Sequence, residues 1–221
     1  MNRILDISKP RALIFDWDNT LVDTWPTIHE ALRQTFEAMD VEPWTLEQTR
    51  RRVRRSMRES FPELFGDRWT QARDIFYGAY ERVHLDCLTP CEGADEGLAA
   101  LAEHDLYLGV ISNKTGRYLR SEARHLGWQG YFGQLVGAGD AAKDKPAPEP
   151  VAQALDGSGI APGEQVWMVG DAGVDMEIAH LTGMVPVLVK DTEPDPEEFE
   201  RHRPFHQIEN IEELIRLIQE I

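Results

Sequence analysis

"LIFDWDNTLVDTW", residues 13–25, runs three apolar residues straight into two aspartates one residue apart, Asp16 and Asp18, and then turns polar. The apolar run belongs to "RALIF" (11–15), which has the composition of a buried strand ended by an acid. The same design recurs downstream. "LYLGVI" (106–111) runs into Ser112 and Asn113, and "QVWMV" (165–169) into Gly170, Asp171 and, a helical turn later, Asp175. "QLVGA" (134–138) and "VPVLV" (185–189) are two further strands, and helical patterns fill the gaps: "ADEGLAALAEH", "GRYLRSEARHLG", "PEPVAQALDGSG" and "VDMEIAHLTG". Strand then helix, repeated, predicts an α/β fold: a doubly wound, mostly parallel sheet with helices on both faces and right-handed crossovers. In such a sheet every one of these polar residues falls at the carboxyl edge, where open α/β folds bind ligands.

The first strand breaks the rhythm. Between "LIF" and "LYLGVI" lie about ninety residues, far more than the roughly 30 a βαβ unit needs, with no convincing strand among them. Ile28, Leu32, Phe36 and Met39 mark one helix there, and 46–60 and 69–85 read as others. The expectation is a small α-helical domain, 25–88, inserted into a core of 1–24 and 89–221, with linkers near 24–26 and 88–92 where Pro and polar residues cluster. At the other end, "IENIEELIRLIQEI" places Ile208, Ile211, Leu214, Ile215 and Ile218 at helical spacing, an amphipathic helix for the sheet to accept.

Composition narrows the function classes. With 221 residues, 42% hydrophobic and 28% charged, the chain can bury a full core. Its two cysteines, in "CLTPC", are too few for a disulfide framework or a four-cysteine zinc site and read as reduced thiols. The opening "MNRILDISKPRALIF" lacks the apolar core of a signal peptide, and no run approaches the roughly 20 apolar residues of a membrane span, so a cytoplasmic location is expected. A formal charge of −16 argues against nucleic acid and anionic membranes as partners. If the substrate is an anion, the site must supply local positive charge, and a metal ion does so most directly.

Phosphoryl transfer through an aspartyl phosphate suits the residues gathered at the sheet edge. Converging carboxylates repel one another unless a cation offsets them, and hard oxygen ligands select Mg²⁺. With Lys145, in "AAKDKPAPEP", the metal would neutralise phosphate oxygens that Ser112 and Asn113 also bind by hydrogen bonds. One carboxylate then attacks phosphorus. Its neighbour two positions on protonates the leaving oxygen and later deprotonates water. Lys143 is a rival to Lys145, but the prolines that follow Lys145 and stiffen a helix start favour the latter.

Four motifs in order, "DWDNT", "VISNKT", "KDKPAPEP" and "VGDAGVD", resemble those of the haloacid dehalogenase-like (HAD) hydrolases over residues 12 to about 190. The insert looks like the helical cap of the family's phosphoglycolate phosphatase-like branch. The resemblance implies Asp16 as nucleophile and Mg²⁺ ligand, and Asp18 as general acid/base with its backbone carbonyl on the metal. It implies Ser112 and Asn113 as holders of the transferring phosphoryl group, and Lys145 as a brace for that group and for Asp16. Asp171 becomes a Mg²⁺ ligand, while Asp175 supports the metal or orients Lys145. The acid at Asp18 favours phosphate chemistry over dehalogenation, since a halide leaves without a proton. Two positions depart from the pattern. Asn19 stands where Gly is usual, a mild change because Asn tolerates positive φ, and Ala172 stands where Ser or Thr is frequent.

The helical insert holds "RRVRRSMRES" directly after Arg50, six arginines in an acidic protein. Most read as a solvated helix face. By resemblance Arg54 or Arg55 falls on the cap loop that touches substrate, where a guanidinium could grip a carboxylate or second phosphate. Trp17, Trp25, Trp44 and Trp69 read as packing, and the seven histidines show no ligand spacing. The expected function is hydrolysis of a small phosphorylated metabolite, phosphoglycolate-like, by a monomer or homodimer. The alternatives are a sugar-phosphate mutase and a catalytically idle phosphate-binding regulatory protein.

Overall fold

The computed structural model describes residues 9–53 and 57–221. In chain order the elements are β1 (Ala12–Phe15), β2 (Val22–Asp23), α1 (Trp25–Ala38), α2 (Leu46–Arg52), α3 (Met57–Phe65), α4 (Trp69–Val83), β3 (Thr89–Pro90), α5 (Ala94–Ala102), β4 (Tyr107–Thr115), α6 (Gly116–His125), β5 (Gln134–Ala138), α7 (Glu149–Ala154), β6 (Val166–Gly170), α8 (Gly173–Thr182), β7 (Val185–Val189), β8 (His206–Ile208) and α9 (Ile211–Glu220). Six strands form one parallel sheet in the order β5-β4-β1-β6-β7-β8. After β1 the chain builds outward through β4 and β5, then returns to lay β6 on the other side of β1. The strand order therefore reverses around β1, and the carboxyl ends of β4, β1 and β6 flank that switch point, where ligands bind in doubly wound sheets.

The strands are short apolar runs because they are covered on both faces. Ala12 and Ile14 pack with Ile111, Val136, Val166 and Met168 against Val151, Ala154 and Leu155 of the α7 region and Ile178 and Ala179 of α8. Leu13 and Phe15, pointing the other way by strand alternation, are equally buried. The terminal helix α9 starts at an Asn210 cap whose side chain accepts the Glu213 N–H at 3.1 Å, and it buries Ile211, Leu214 and Ile218. It packs on α5, where a Cβ at Gly97 would come within 2.5 Å of Ile211 Cγ2. Ile208, grouped with that helix by its spacing, instead ends the edge strand β8; three residues of strand leave too little periodicity to be read.

Contacts divide the chain into two units, one reaching to Val22 and resuming from Pro90 to Ile221, the other spanning Asp23–Thr89. The short ribbon of β2 and β3 lies where the chain passes between them. The inserted unit is helical and has its own aromatic core: Phe36 with Trp44 and Phe65, and Phe61 with Phe65 and Phe76. The stretch read as one helix over 46–60 holds two, α2 opened by a Thr45–Gln48 capping box and then α3. Arg50 pairs with Asp23 at 3.1 Å, and the Arg52 guanidinium lies over the Trp44 ring. Arg54 and Arg55 fall outside the described residues. Cys87 and Cys91 form no disulfide and are both half-buried. Among the described residues no helix is long and apolar enough to cross a membrane.

Candidate active site

Phe15, the last residue of β1, is in register with Val110 of β4 and Val169 of β6, so the next residue emerges between two neighbouring strand ends. That residue is Asp16, whose N–H donates to the Val169 carbonyl at 2.8 Å and whose side chain is buried. The adjoining end of β4 loses regular register between Ile111 and Thr115. Such an irregularity re-aims side chains, and it falls on Ser112, Asn113 and Lys114. The sequence pattern stops this strand at Ile111; pairing in fact resumes at Thr115 beyond the irregular stretch.

Lys145, from the loop after β5, reaches the same point. Its Nζ donates to Asp16 Oδ1 at 2.5 Å and to Asp175 Oδ1 at 2.7 Å, with only 3% of its side chain exposed. Lys143 lies 72% exposed and 3.4 Å from Glu149, so of the two lysines only Lys145 enters the site. Asp175 sits in the first turn of α8, where its other oxygen accepts the Ala172 N–H at 3.2 Å. Gly170 is required beside it, since a Cβ there would overlap the Asp175 carboxylate.

One carboxylate oxygen from each of Asp16, Asp171 and Asp175 lies within 4.8 Å of the others. Two of these three acids pair with the Lys145 ammonium. Burial raises the Asp16 carboxyl to about 7, with Lys145 pulling it down and the charges of Asp175 and Asp18 pushing it further up. Burial, then Asp16 and Asp175, drive Asp171 well above the usual carboxylate range. Burial opposes the Lys145 charge, but Asp16 and Asp175 outweigh it and hold the ammonium above the ordinary lysine range. An oxygen-lined, electron-rich site of this kind fits a hard divalent cation, which would offset the charge Lys145 leaves uncompensated.

The remaining expected residues are nearby. Ser112 is buried, and its hydroxyl oxygen accepts the Lys114 N–H at 3.1 Å. Asn113 donates from Nδ2 to the Lys145 carbonyl at 3.3 Å, tying the end of β4 to the lysine loop. Asn19 adopts φ 59°, the left-handed backbone expected of a position where Gly is usual. The Asp18 carboxylate stands apart from the three-acid cluster, its Oδ1 2.6 Å from Lys114 Nζ. That lysine also meets Glu122 Oε2 at 2.5 Å, and the Trp17 indole donates to the same oxygen at 2.7 Å. Lys114, Glu122 and the polar edge of Trp17 escape sequence reasoning, because a contact between positions 105 apart leaves no local pattern. The only signal is a lysine directly following Ser112 and Asn113.

The profile of the family described as haloacid dehalogenase-like hydrolases matches residues 13–189. A phosphoglycolate phosphatase from Rhodospirillum rubrum is 32% identical over 192 residues, 81% of this chain and 79% of that one. The pyrophosphatase PpaX of Listeria monocytogenes is 28% identical over 218 residues, 96% of this chain and 98% of its own. A haloacid dehalogenase-like family hydrolase from Streptococcus pneumoniae superposes with a TM-score of 0.82 at 22% identity, covering 96% of this chain and 99% of that one.

Proposed function

The chain belongs to the haloacid dehalogenase-like hydrolases, and from that premise we propose that it is a Mg²⁺-dependent phosphatase of small phosphate monoesters working through an aspartyl phosphate on Asp16. The observation that carries the reading is the set gathered where β1 ends: one carboxylate oxygen from each of buried Asp16, buried Asp175 and half-buried Asp171 lies within 4.8 Å of the others, and the Lys145 ammonium pairs with Asp16 and Asp175.

Asp16, Asp171 and Asp175, with the Asp18 backbone carbonyl, would hold the metal, which would supply positive charge that favours ionised Asp16 and offsets the phosphoryl oxygens. Lys145 fixes the Asp16 carboxylate and adds its charge on the same side. Asp16 then attacks phosphorus, forming a bond from its carboxylate oxygen while the ester oxygen departs. Asp18, protonated, gives its proton to that oxygen and releases an alcohol. As a carboxylate it next takes a proton from water, whose oxygen attacks the aspartyl phosphate, freeing inorganic phosphate and restoring Asp16. Ser112 and Asn113, at the irregular end of β4, are positioned to hold the transferring group. Asp18 also favours phosphate esters over haloacids, because an alkoxide needs the proton and a halide does not.

The named relatives act on phosphoglycolate or are pyrophosphatases, and a small acidic phosphate of the phosphoglycolate kind is the favoured substrate. Phosphate release from a panel containing phosphoglycolate, pyrophosphate and small sugar phosphates, with and without Mg²⁺, tests this. Release is expected to need the metal and to fall by roughly 10⁴-fold or more in Asp16→Asn. Equal turnover by that variant, or full activity in chelator, would sink the proposal.

A further inference from the structure

Lys114 and Glu122 form an ion pair that the aspartyl-phosphate chemistry does not call on, and it is almost fully buried: 5% and 1% of their side chains are exposed. Burying such a pair is a poor way to gain stability, since apolar residues of similar volume often do as well or better. The arrangement points elsewhere. Lys114 leaves the irregular end of β4 and places Nζ between Glu122 Oε2 and Asp18 Oδ1, at 2.5 Å and 2.6 Å. Glu122, on α6, is itself held by the Trp17 N–H at 2.7 Å. Trp17 lies between the two aspartates of the first motif, fully buried, its ring edge-on to Trp128 and Phe132 at 5.7 Å and 6.4 Å. A rigid indole thus fixes a glutamate, the glutamate fixes a lysine, and the lysine meets the 30% exposed Asp18 carboxylate.

We propose that Lys114, anchored by Glu122 and the Trp17 indole, is a positioning residue that sets which oxygen of Asp18 faces the leaving group. The inference rests on the assignment of Asp18 as general acid/base. Proton transfer depends steeply on the placement of the donor, and a displacement of about 1 Å costs as much as 10²-fold.

The test is the dependence of kcat/KM on the leaving group, because kcat/KM covers the steps up to release of the first product, where Asp18 gives up its proton. Two substrates are compared: the alkyl phosphate best turned over in the panel, and acetyl phosphate, whose carboxylate leaves without a proton. Lys114→Met keeps the length of the chain and removes the ammonium. It is expected to lower kcat/KM roughly 10- to 100-fold on the alkyl ester and less than about threefold on acetyl phosphate. Glu122→Gln, which keeps an acceptor for the indole, is expected to show the same discrimination to a smaller degree and carries the test if Lys114→Met does not fold. The double variant Lys114→Met/Asp18→Asn should be no slower than Asp18→Asn alone, since the lysine acts through the aspartate. Equal losses on both substrates would mean a merely structural pair, and a faster Lys114→Met would mean that the lysine restrains Asp18; either overturns the proposal. Asp18→Asn separates the two levels. If it discriminates between the substrates while Lys114→Met does not, positioning alone fails; if it does not discriminate, the acid/base assignment fails and takes the positioning role with it.

Discussion

Asp16 concentrates the competing forces of the site. Its strand end buries it, which favours the neutral acid, while Lys145 at 2.5 Å favours the carboxylate, and burial prevails in the metal-free protein. The folded chain then holds this proton more tightly than the unfolded chain. Its stabilising contribution is complete below the ordinary carboxylate range and is lost as pH rises through about 7. Asp16→Asn removes that loss. In chelator the variant should therefore melt above the wild type at about pH 8, with the gap closing toward about pH 4; thermal melts across this range check it, and a gap that widened on acidification would contradict burial as the cause. Asp16, Ser112 and Asp171 were readable as candidates because they follow apolar runs, Asp18 because it lies two residues past Asp16, and Lys145 because it precedes a stiffened helix start. The Lys114–Glu122–Trp17 chain was not, because its partners meet only after β4 and α6 have been laid beside β1.

At the level of elements, the joint between β6 and α8 is where backbone and chemistry constrain one another most tightly. Gly170 ends the strand and Asp175 opens the helix, so that the carboxylate folds back over the glycine to meet Lys145. Gly170→Ala would drive a methyl into that buried carboxylate, which has no room to swing aside. The expected cost is roughly 1–3 kcal/mol of stability, with a loss of turnover as Asp175 is displaced. Urea unfolding beside steady-state kinetics checks both, and unchanged activity would separate Asp175 from the catalytic work. The strands and helices of the core were readable from apolar runs and turn residues, since burial on both faces makes every sheet position apolar. The irregular end of β4 and the short β8 were not, because neither has a residue pattern of its own.

For the molecule as a whole, a formal charge of −16 with three acids gathered at one sheet edge means that a divalent cation bound there would stabilise the fold. Saturating Mg²⁺ should raise the melting midpoint, by an amount corresponding to about 2.7 kcal/mol when the metal stands about a hundredfold above its dissociation constant. Asp171→Asn should abolish most of that rise, and an undiminished shift in the variant would place the metal elsewhere. Alternating strands and helices, the long excursion after the first strand and the polar residues ending three strands were determined by the sequence alone, because periodicity and turn chemistry are local properties of a chain. Tertiary structure decided the rest: that β4 and β6 flank β1, and that Asp18 is held by a lysine anchored through Glu122 to a tryptophan. Those outcomes depend on which strand ends become neighbours and on the desolvation of charges brought together from distant positions, and neither is encoded in any window short enough to read.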